Sequence, residues 1–424
     1  MSSRSRTFHR RILDTALAYM NDDPVILLEG PRSVGKSTLL RQIASAASGR
    51  ILDLDDEATQ RATESDPSLM VGVEGLVCID EYQKVPRVLD AIKAQLNVRP
   101  EPGRFVLTGS VRHEALPRGT QALTGRLSRL SIRPLSQGEI DGVHEEWLAA
   151  FMLDPKRAVE RSGSSTTNRA DYIERMVLGG FPGVLAAASI SARHRWIDNY
   201  LGLSLKRDVI EVSNIRQPDM LPALINRIAG QTGQMLNVDK LARESGLDKV
   251  TAGRYLGLLE DIFLIYRLPA WGTTLNARAG KLPKVHMLDS AIAARMLRLT
   301  PAKLAALDPT TLSEFGHLLE TFVVGELLKQ ASWLDGVNGL GHWRTHDGDE
   351  IDLIIERDDG GIAAFEVKSA RGVSASDVKA MARLRDRLGA SFLGGVVFYL
   401  GEYSYSVAPG LFAVPVDRLW TALS

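Results

Sequence analysis

The chain has 424 residues, which at ordinary domain sizes corresponds to about two to four domains. Basic and acidic side chains both number 51, so the formal net charge is zero, which excludes an overall basic field for attracting nucleic acid or an anionic membrane. The single cysteine, Cys78, excludes a disulfide within the chain. No apolar run approaches the roughly 20 residues that span a bilayer. We therefore expect a cytoplasmic protein without a membrane partner, whose contacts with DNA or RNA use a local patch.

A glycine-rich loop lies between a predicted strand and a predicted helix near the start of the chain. The apolar run Val25–Leu28 predicts a buried strand, and Thr38–Ile43 predicts a helix. The residues between them match the pattern G-x-x-x-x-G-K-[S/T], in which Lys36 reaches the β- and γ-phosphates and Ser37 holds Mg²⁺. Backbone N–H groups and the helix dipole then favour an anion, whereas the alternative is an ordinary glycine-rich turn. The predicted nucleotide ligands are Gly30, Pro31, Arg32, Ser33, Val34, Gly35, Lys36, Ser37 and Thr38.

Two further apolar runs end in polar residues. The run Leu76–Ile79 ends in Asp80 and Glu81, where an aspartate at the tip of a strand is the usual Mg²⁺ partner and a glutamate can polarise an attacking water. The alternative is a pair of surface acids. The run Arg104–Leu107 is followed by Thr108 and Ser110, whose hydroxyls can contact the γ-phosphate or the water, or else cap a helix. Alternating strands and helices predict a parallel α/β sheet with the ligand at the carboxyl ends of its strands.

Five segments together resemble a bacterial and archaeal group of AAA+ type ATPases that carry a C-terminal domain of unknown function. They are residues 26–40 (ILLEGPRSVGKSTLL), 77–86 (VCIDEYQKVP), 105–110 (FVLTGS), 123–136 (LTGRLSRLSIRPLS) and 179–182 (GGFP). The resemblance covers essentially the whole chain. It implies that Lys36, Ser37, Asp80 and Glu81 take the Walker roles, and that Thr108 or Ser110 acts as a sensor.

The same resemblance suggests roles for Arg126 and Pro182. Arg126 stands where such ATPases keep a basic residue, and it acts either as an arginine finger across a subunit interface or in a structural salt bridge. The first alternative requires a homo-oligomer. Pro182 matches a Gly-x-Pro signature in the lids of signalling ATPases, which fold over the nucleotide; the alternative is a helix stop followed by a turn. Arg207 and Asp208 also fit the family, without a role that the residues indicate.

The middle of the chain contains a helical segment, a linker and a helix-turn-helix pattern. Residues 146–235 are predicted to form a helical lid, in which Ser162–Thr167 is the clearest flexible linker. Residues 236–300 resemble a winged helix, with helices at Val238–Ser245 and Lys249–Leu259 and a strand at Phe263–Leu268. Such a module binds DNA, serves as a lid or contacts protein. The exposed candidates for phosphate contact are Lys249, Thr251 and Arg254.

The C-terminal part contains a second candidate site. The helix Phe315–Leu328 carries Glu320, and the strand Glu350–Ile355 carries Asp352. A turn leads to a partner strand, Ile362–Lys368, on which Glu366 and Lys368 share one face. An aspartate and a glutamate on adjacent strands offer hard oxygen ligands for Mg²⁺, and a lysine beside them can orient or deprotonate water.

This arrangement resembles the PD-(D/E)xK nuclease superfamily. The resemblance implies that Asp352 and Glu366 bind metal, that Lys368 is catalytic, and that Glu320 supplies the additional helix carboxylate. The proline of the named motif is absent, because Ile351 precedes Asp352. A strand with Glu and Lys two residues apart is otherwise most often a solvated surface.

We therefore predict four segments: a P-loop AAA+ ATPase domain (1–145), a helical lid (146–235), a winged-helix segment (236–300) and an α+β restriction-endonuclease-like domain (301–424). The predicted function is Mg²⁺-dependent binding and hydrolysis of ATP, coupled to a nuclease-like domain that acts on DNA or RNA. The alternative is an ATP-controlled switch whose C-terminal domain binds a protein or nucleic acid without cleavage.

Overall fold

The computed structural model describes residues 8–115, 123–209, 218–274, 281–306 and 308–423. Within these ranges the chain forms three β-sheets, which are separated along the sequence by helical segments. No helix in these ranges is both long enough and apolar enough to cross a membrane. The candidate sites predicted from the sequence lie at the first and the last of the three sheets.

The first sheet is parallel, and its strands run in the order β2-β3-β4-β1-β5. In chain order they are β1 (Val25–Glu29), β2 (Arg50–Asp53), β3 (Val77–Asp80), β4 (Phe105–Gly109) and β5 (Leu127–Ser131). Apolar side chains on both faces of β1 are buried in separate core clusters, because helices cover both faces of the sheet. The predicted parallel α/β sheet is confirmed, and it brings the carboxyl ends of β1, β3 and β4 to one edge.

Helices flank this sheet, and two of them start in different ways. The helices in this part of the chain are Ile12–Tyr19, Lys36–Ala46, Glu57–Ser65, Pro67–Val71, Val88–Val98 and Gln137–Asp141. The last begins with a capping box, in which the Ser136 hydroxyl accepts from the Glu139 N–H at 3.1 Å and Glu139 accepts from the Ser136 N–H at 3.0 Å. The helix Lys36–Ala46 instead begins directly after the glycine-rich loop, so its free N–H groups face that loop.

The segment from residue 147 to residue 229 is mainly helical, as the sequence predicts. Its helices are Trp147–Leu153, Pro155–Glu160, Arg169–Leu178, Pro182–Leu185, Ile190–Leu203 and Leu221–Ala229, with a π-helical turn at Ser204–Asp208. Trp147 stacks on Phe151 at 5.0 Å between ring centroids, and both rings contact Phe365 of the C-terminal sheet. The helix Trp147–Leu153 therefore packs against the C-terminal sheet.

The segment Ser162–Thr167 is a packed connection, and the prediction of a flexible linker is wrong. The Ser165 N–H donates to the Glu402 carbonyl at 2.7 Å. The hydroxyls of Ser165 and Thr167 both donate to the buried carboxylate of Asp417, at 2.8 and 2.7 Å. Small hydroxyl residues favour a linker by composition, but here they satisfy a buried carboxylate, which composition cannot indicate.

The second sheet is small and antiparallel, with the order β6-β8-β7. Its strands are β6 (Gln234–Met235), β7 (Ile265–Leu268) and β8 (Lys284–Met287). The two predicted helices before β7 are observed at Val238–Glu244 and Lys249–Asp261, and two further helices, Ser290–Met296 and Pro301–Ala305, follow β8. Their assignment to a winged helix remains a prediction.

The last sheet has six strands in the order β13-β14-β12-β11-β10-β9. They are β9 (Val337–Arg344), β10 (Glu350–Arg357), β11 (Ile362–Val367), β12 (Phe392–Tyr399), β13 (Tyr405–Ala408) and β14 (Leu411–Pro415). The predicted hairpin is confirmed, because β10 and β11 pair antiparallel with Leu353 opposite Phe365. The strands β11, β12 and β14 are parallel to one another, so the sheet is mixed.

Besides the helix Trp147–Leu153, two helices of the C-terminal part pack on the last sheet. Leu353 of β10 packs in one core cluster with the helix Pro309–Ala331, which we call the long helix. Ile354, the next residue of β10, packs in another cluster with the helix Lys379–Leu388. Because side chains alternate along a strand, the two helices lie on opposite faces of the sheet. The restriction-endonuclease-like class remains a prediction for this α+β domain.

Candidate functional site

The glycine-rich loop joins β1 to the helix Lys36–Ala46, and steric constraints require glycine at two of its positions. Gly35 has φ +98° at the helix start, a conformation that residues with a side chain rarely adopt. A Cβ atom at Gly30 would lie 2.1 Å from the carbonyl oxygen of Ile132, so the backbones approach too closely for any other residue. The loop therefore needs the glycines at both ends of the sequence pattern.

Lys36 is held inside this loop. Its ammonium donates to the carbonyl oxygens of Gly30 and Pro31, both at 2.9 Å, and lies 4.0 Å from a carboxylate oxygen of Glu81. Burial lowers the pKa of Lys36, and the charge of Glu81 opposes this shift only in part. Gly30 and Pro31 thus position the lysine, and the ammonium has no close carboxylate of its own.

Asp80 lies beside Ser37 at the end of β3, as a shared Mg²⁺ site would require. The hydroxyls of Thr108 and Ser37 both donate to the Asp80 carboxylate. Burial raises the pKa of Asp80, and these two hydrogen bonds oppose the shift. Thr108 also accepts from the N–H of Glu81 at 2.9 Å, so one hydroxyl connects both acids.

Glu81 adopts a left-handed backbone conformation with φ +54°, which is uncommon for a residue with a side chain and is typical of functional sites. Its carboxylate accepts from the Ser110 hydroxyl at 2.9 Å. The side-chain amide of Gln83 donates to the Ser110 oxygen at 2.9 Å and also to Glu81. Sequence reasoning missed Gln83, although its place two residues after Glu81 was a local signal.

A cavity of about 770 Å³ adjoins the loop, which is in the size range of small-molecule sites. Its lining includes the loop and helix residues 32–38 and the charged residues Arg10, Arg41, Asp55 and Glu81. Its apolar wall is formed by Phe8, Leu135, Ile140, Leu178, Pro182 and Leu185. Pro182 therefore stands beside the cavity. The remaining predicted ligands support its lining: Gly30 and Pro31 bind Lys36, whereas Thr108 and Ser110 bind the two acids.

Arg10 is a second residue that sequence reasoning missed. Its guanidinium donates to the Val34 carbonyl at 2.8 Å and to the Arg133 carbonyl at 2.7 Å, and it pairs with Glu139 at 3.1 Å. The segment before the first helix is thereby attached to the glycine-rich loop. A lone arginine in a basic, Ser-rich stretch carries no pattern that could have indicated this contact.

Arg32 and Asp208 form an ion pair at the same cavity. Asp208 lies in the π-helical turn Ser204–Asp208, a type of helix irregularity that is frequent at functional sites. Burial raises the pKa of Asp208, and the charge of Arg32 opposes this shift. Asp208 fitted the family resemblance without a role, and the tertiary structure connects it to the loop.

Arg126 lies outside the cavity of its own chain. Its guanidinium donates to the Asn97 side chain at 2.8 Å, and the residue is half-buried beside β5. This contact leaves its role across a subunit interface untested, so the arginine finger and the homo-oligomer remain predictions.

The second candidate site contains a lysine that sequence reasoning missed. The Lys284 ammonium, on β8, lies 2.8 Å from a carboxylate oxygen of Glu320, 2.6 Å from one of Glu350 and 2.7 Å from one of Asp352. Its side chain is 1% exposed. Burial alone would lower the pKa of Lys284, but the charges of Asp352, Glu320 and Glu350 outweigh it and raise the pKa. We call Lys284, Glu320, Glu350, Asp352 and Glu366 the carboxylate cluster.

The other contacts of the cluster come from β11. Asp352 accepts from the Val367 N–H at 2.9 Å, and Glu366 accepts from the Lys368 ammonium at 2.7 Å. The second oxygen of Glu366 is buried and has no hydrogen-bond partner among the described residues. Burial and the charge of Asp352 raise the pKa of Glu366 to about 8, and they also raise the pKa of Glu320.

The structure thus brings the predicted residues Glu320, Asp352, Glu366 and Lys368 together, but with an additional cation. Among the described residues, no group of three His, Cys, Asp or Glu side chains is arranged to hold a metal ion. Mg²⁺ at the cluster therefore stays a prediction. Glu350 had a weak signal, since it precedes Asp352 by two residues on one strand. Lys284 had only its place beside the apolar Val285 in a short strand.

Residues 22–141 match the family model described as "AAA domain". Residues 169–303 and 315–419 match two models described as domains of unknown function, DUF8612 and DUF4143. The parallel sheet, the glycine-rich loop with its lysine and the acids at the end of β3 agree with the first match. The N-terminal part of the chain thus has an α/β fold with a parallel sheet like that of P-loop ATPases.

Two curated relatives are an uncharacterized protein of Mycobacterium tuberculosis, Rv2008c, and one of Mycobacterium bovis, Mb2031c. Each is 27% identical over 404 residues, which is 94% of this chain and 81% of the relative. Among solved structures, the Walker-type ATPase PABY2304 of Pyrococcus abyssi matches at a TM-score of 0.41 and 14% identity, covering 69% of this chain and 97% of that one. RuvB of Thermotoga maritima matches at 0.30 and 17% identity, covering 62% and 90%.

Proposed function

We propose that the N-terminal domain binds and hydrolyses ATP with Mg²⁺. The observation that carries this proposal is the convergence of Lys36, Ser37, Asp80 and Glu81 at one edge of a parallel sheet, beside a cavity of about 770 Å³. The free N–H groups at the start of the helix Lys36–Ala46 and the Lys36 ammonium offer positive charge to the phosphates.

Each residue of the site has a distinct part in this proposal. Ser37 and Asp80 offer adjacent oxygen ligands for Mg²⁺, which when bound neutralises charge on the β- and γ-phosphates. Glu81 orients and polarises the attacking water, and Ser110 and Gln83 hold its carboxylate in place. The apolar wall of the cavity takes the adenine ring and excludes water from it.

Calorimetric titration of the full chain with ATP and MgCl₂ tests this proposal. Lys36→Ala is expected to lose nucleotide binding, since the phosphates lose their buried cation. Glu81→Gln is expected to keep binding and lose turnover, because the amide no longer polarises water. Lys93→Ala, at an exposed lysine of the same domain, is the matched control. Normal hydrolysis by Glu81→Gln would remove Glu81 from the mechanism, and absence of ATP uptake by folded wild type would end the proposal.

We propose further that the C-terminal domain is nuclease-like and acts on DNA or RNA under the control of the ATPase. Asp352 on β10, Glu366 on β11 and Lys368 directly after β11 lie together, with Glu320 facing them from the long helix. The alternative is an ATP-controlled switch whose C-terminal domain binds a partner without cutting. Metal-dependent nicking of plasmid or RNA by the wild type, lost in Asp352→Ala, favours the nuclease; no cutting under broad conditions favours the switch.

The helix-turn-helix segment offers weaker support for nucleic-acid binding. The Lys249 ammonium pairs with Asp239 at 3.0 Å, and the Thr251 hydroxyl donates to Asp248 at 2.6 Å. Both candidate phosphate contacts are thus engaged by acids of the same segment and would have to exchange these partners for phosphate. We therefore expect nucleic-acid binding to depend more on the C-terminal domain than on Lys249 and Thr251.

A further inference from the structure

Lys284 enters the carboxylate cluster from a different part of the chain. It lies on β8 of the small sheet, whereas Glu320, Glu350 and Asp352 lie on the long helix and β10. An ammonium group has three N–H donors, and three carboxylate oxygens surround this one at 2.6–2.8 Å. All donors of Lys284 are therefore matched by acids of the C-terminal domain.

We propose that Lys284 is the resident cation of the carboxylate cluster and excludes a divalent metal ion while β8 lies against the long helix. The C-terminal site is then closed in the conformation described here, and it opens when β8 withdraws the lysine. This inference rests on the proposed metal-dependent function of the same site, whose regulation it defines.

The oxygen atoms explain why lysine and metal exclude each other. One Asp352 oxygen and one Glu320 oxygen accept from Lys284, the other Asp352 oxygen accepts from Val367, and one Glu366 oxygen accepts from Lys368. The second oxygen of Glu366 is buried and has no hydrogen-bond partner among the described residues. Mg²⁺ is usually held by one or two carboxylates together with several waters, and here the Lys284 ammonium lies on the oxygens of Asp352 and Glu320 that would serve as such ligands. A divalent ion that binds these oxygens of Asp352 and Glu320 must displace the ammonium.

The contact between β8 and the long helix is polar, which suits an interface that separates. His286 of β8 hydrogen-bonds Thr321 at 3.2 Å, and Thr232 hydrogen-bonds Thr321 at 2.9 Å. The second ring nitrogen of His286 and the Nδ1 atom of the neighbouring His342 are buried and have no hydrogen-bond partner in the part of the chain that the structure describes. Buried polar atoms without partners gain hydrogen bonds to water on separation, which lowers the cost of moving β8.

Mn²⁺ binding to the full chain without nucleotide tests the proposal, in a Ser37→Ala background that weakens the other predicted metal site. Lys284→Met removes the positive charge and keeps a long aliphatic side chain. We expect this variant to bind Mn²⁺ at least tenfold more tightly than the parent chain that retains Lys284. Adding Asp352→Asn is expected to remove this gain. Lys281→Met, at an exposed lysine of the same segment, is the matched control and is expected to change nothing. Equal Mn²⁺ affinity in Lys284→Met and its parent would overturn the proposal.

A second variant keeps the test valid if Lys284→Met does not fold without metal. Thr321→Val leaves the lysine intact and removes the hydrogen bonds of the long helix to His286 and Thr232, so we expect it to bind Mn²⁺ several-fold more tightly than the parent chain. Unchanged affinity contradicts the inference. Cleavage is scored separately: Mn²⁺ bound by Lys284→Met without nicking sustains the role of Lys284 and removes the nuclease proposal.

Discussion

Lys36 at the glycine-rich loop and Lys284 in the carboxylate cluster are both buried lysines, and they differ in what compensates their charge. The Lys36 ammonium donates to two backbone carbonyls and lies 4.0 Å from Glu81. The Lys284 ammonium contacts three carboxylates within 2.8 Å. Burial consequently lowers the pKa of Lys36, whereas at Lys284 burial is outweighed by the three carboxylates and the pKa rises.

This difference separates a site that is ready for an anion from a site that already has its counter-ions. The loop has a buried ammonium without a close carboxylate, so a bound phosphate supplies the missing charge. The cluster has its positive charge built in, so a metal ion must compete with it. A buried lysine thus favours binding of an anion at the glycine-rich loop, whereas in the carboxylate cluster a buried lysine opposes binding of a metal ion.

The largest expected effect is on stability. Lys284→Met leaves the buried carboxylate of Asp352 and the partly buried carboxylates of Glu320 and Glu350 without their cation, and we expect the free energy of unfolding to fall by about 3–5 kcal/mol. Lys36→Met removes a charge whose hydrogen bonds go to two backbone carbonyls and whose nearest carboxylate, Glu81, is 4.0 Å away, and we expect little loss of unfolding free energy or a gain. Urea unfolding of both variants, with Lys281→Met as the exposed control, measures the difference. Equal losses of unfolding free energy in Lys36→Met and Lys284→Met would contradict the proposed difference between the two sites.

The buried histidines next to Lys284 predict a dependence on pH. Burial lowers the pKa of His342 to about 4, and burial together with the charge of Lys284 lowers the pKa of His286. Below the ordinary value near 6.5, the unfolded chain binds protons that the folded chain does not, so these groups favour folding above that pH and lose this contribution as the pH falls towards 4.

His342→Gln isolates one of these contributions. Raised carboxylate pKa values nearby act in the opposite direction, so the useful quantity is the difference between the wild type and the variant. We expect the advantage of the wild type in unfolding free energy to shrink between pH 6.5 and pH 5, by up to about 1.4 kcal/mol per pH unit. A difference that stays constant with pH would show that His342 is not held neutral by the fold.

Asp208→Asn tests whether negative charge beside the glycine-rich loop opposes the binding of ATP. Asp208 is the buried partner of Arg32 and adds negative charge next to the phosphate position. Its neutralisation removes negative charge beside Arg32 and Lys36, so we expect ATP to bind about tenfold more tightly, or about 1.4 kcal/mol. Asp198→Asn, at an exposed carboxylate paired with Arg295, is the control for calorimetric titration. Weaker binding by Asp208→Asn would contradict this role.

The smallest expected effect is at Ser110. Its hydroxyl donates to the Glu81 carboxylate at 2.9 Å, and Ser110→Ala removes one hydrogen bond that holds the water-activating group. We expect ATP turnover to fall about five-fold, corresponding to about 1 kcal/mol, with ATP affinity unchanged. A proportional loss of affinity and turnover would instead indicate that Ser110 supports the whole cavity.

Local patterns predicted the parts of the sites in which neighbouring residues act together. The strand, loop and helix around Lys36 are contiguous, and Asp80 and Glu81 follow their strand directly. The β10–β11 hairpin was likewise predictable from two apolar runs and a turn. The strand β5 had no such pattern, because only one of its five residues is buried and its composition is polar.

The sequence by itself determined the phosphate loop, the acids beside it and the hairpin that carries Asp352 and Glu366, since hydrogen-bonding geometry and side-chain periodicity act over a few residues. Only the tertiary structure decided that Arg10 supports the loop, that Asp208 pairs with Arg32 and that Lys284 enters the carboxylate cluster. These contacts join residues that are 24, 176 and 68 positions apart. Electrostatic compensation between distant segments depends on how sheets and helices pack, and no short pattern records it.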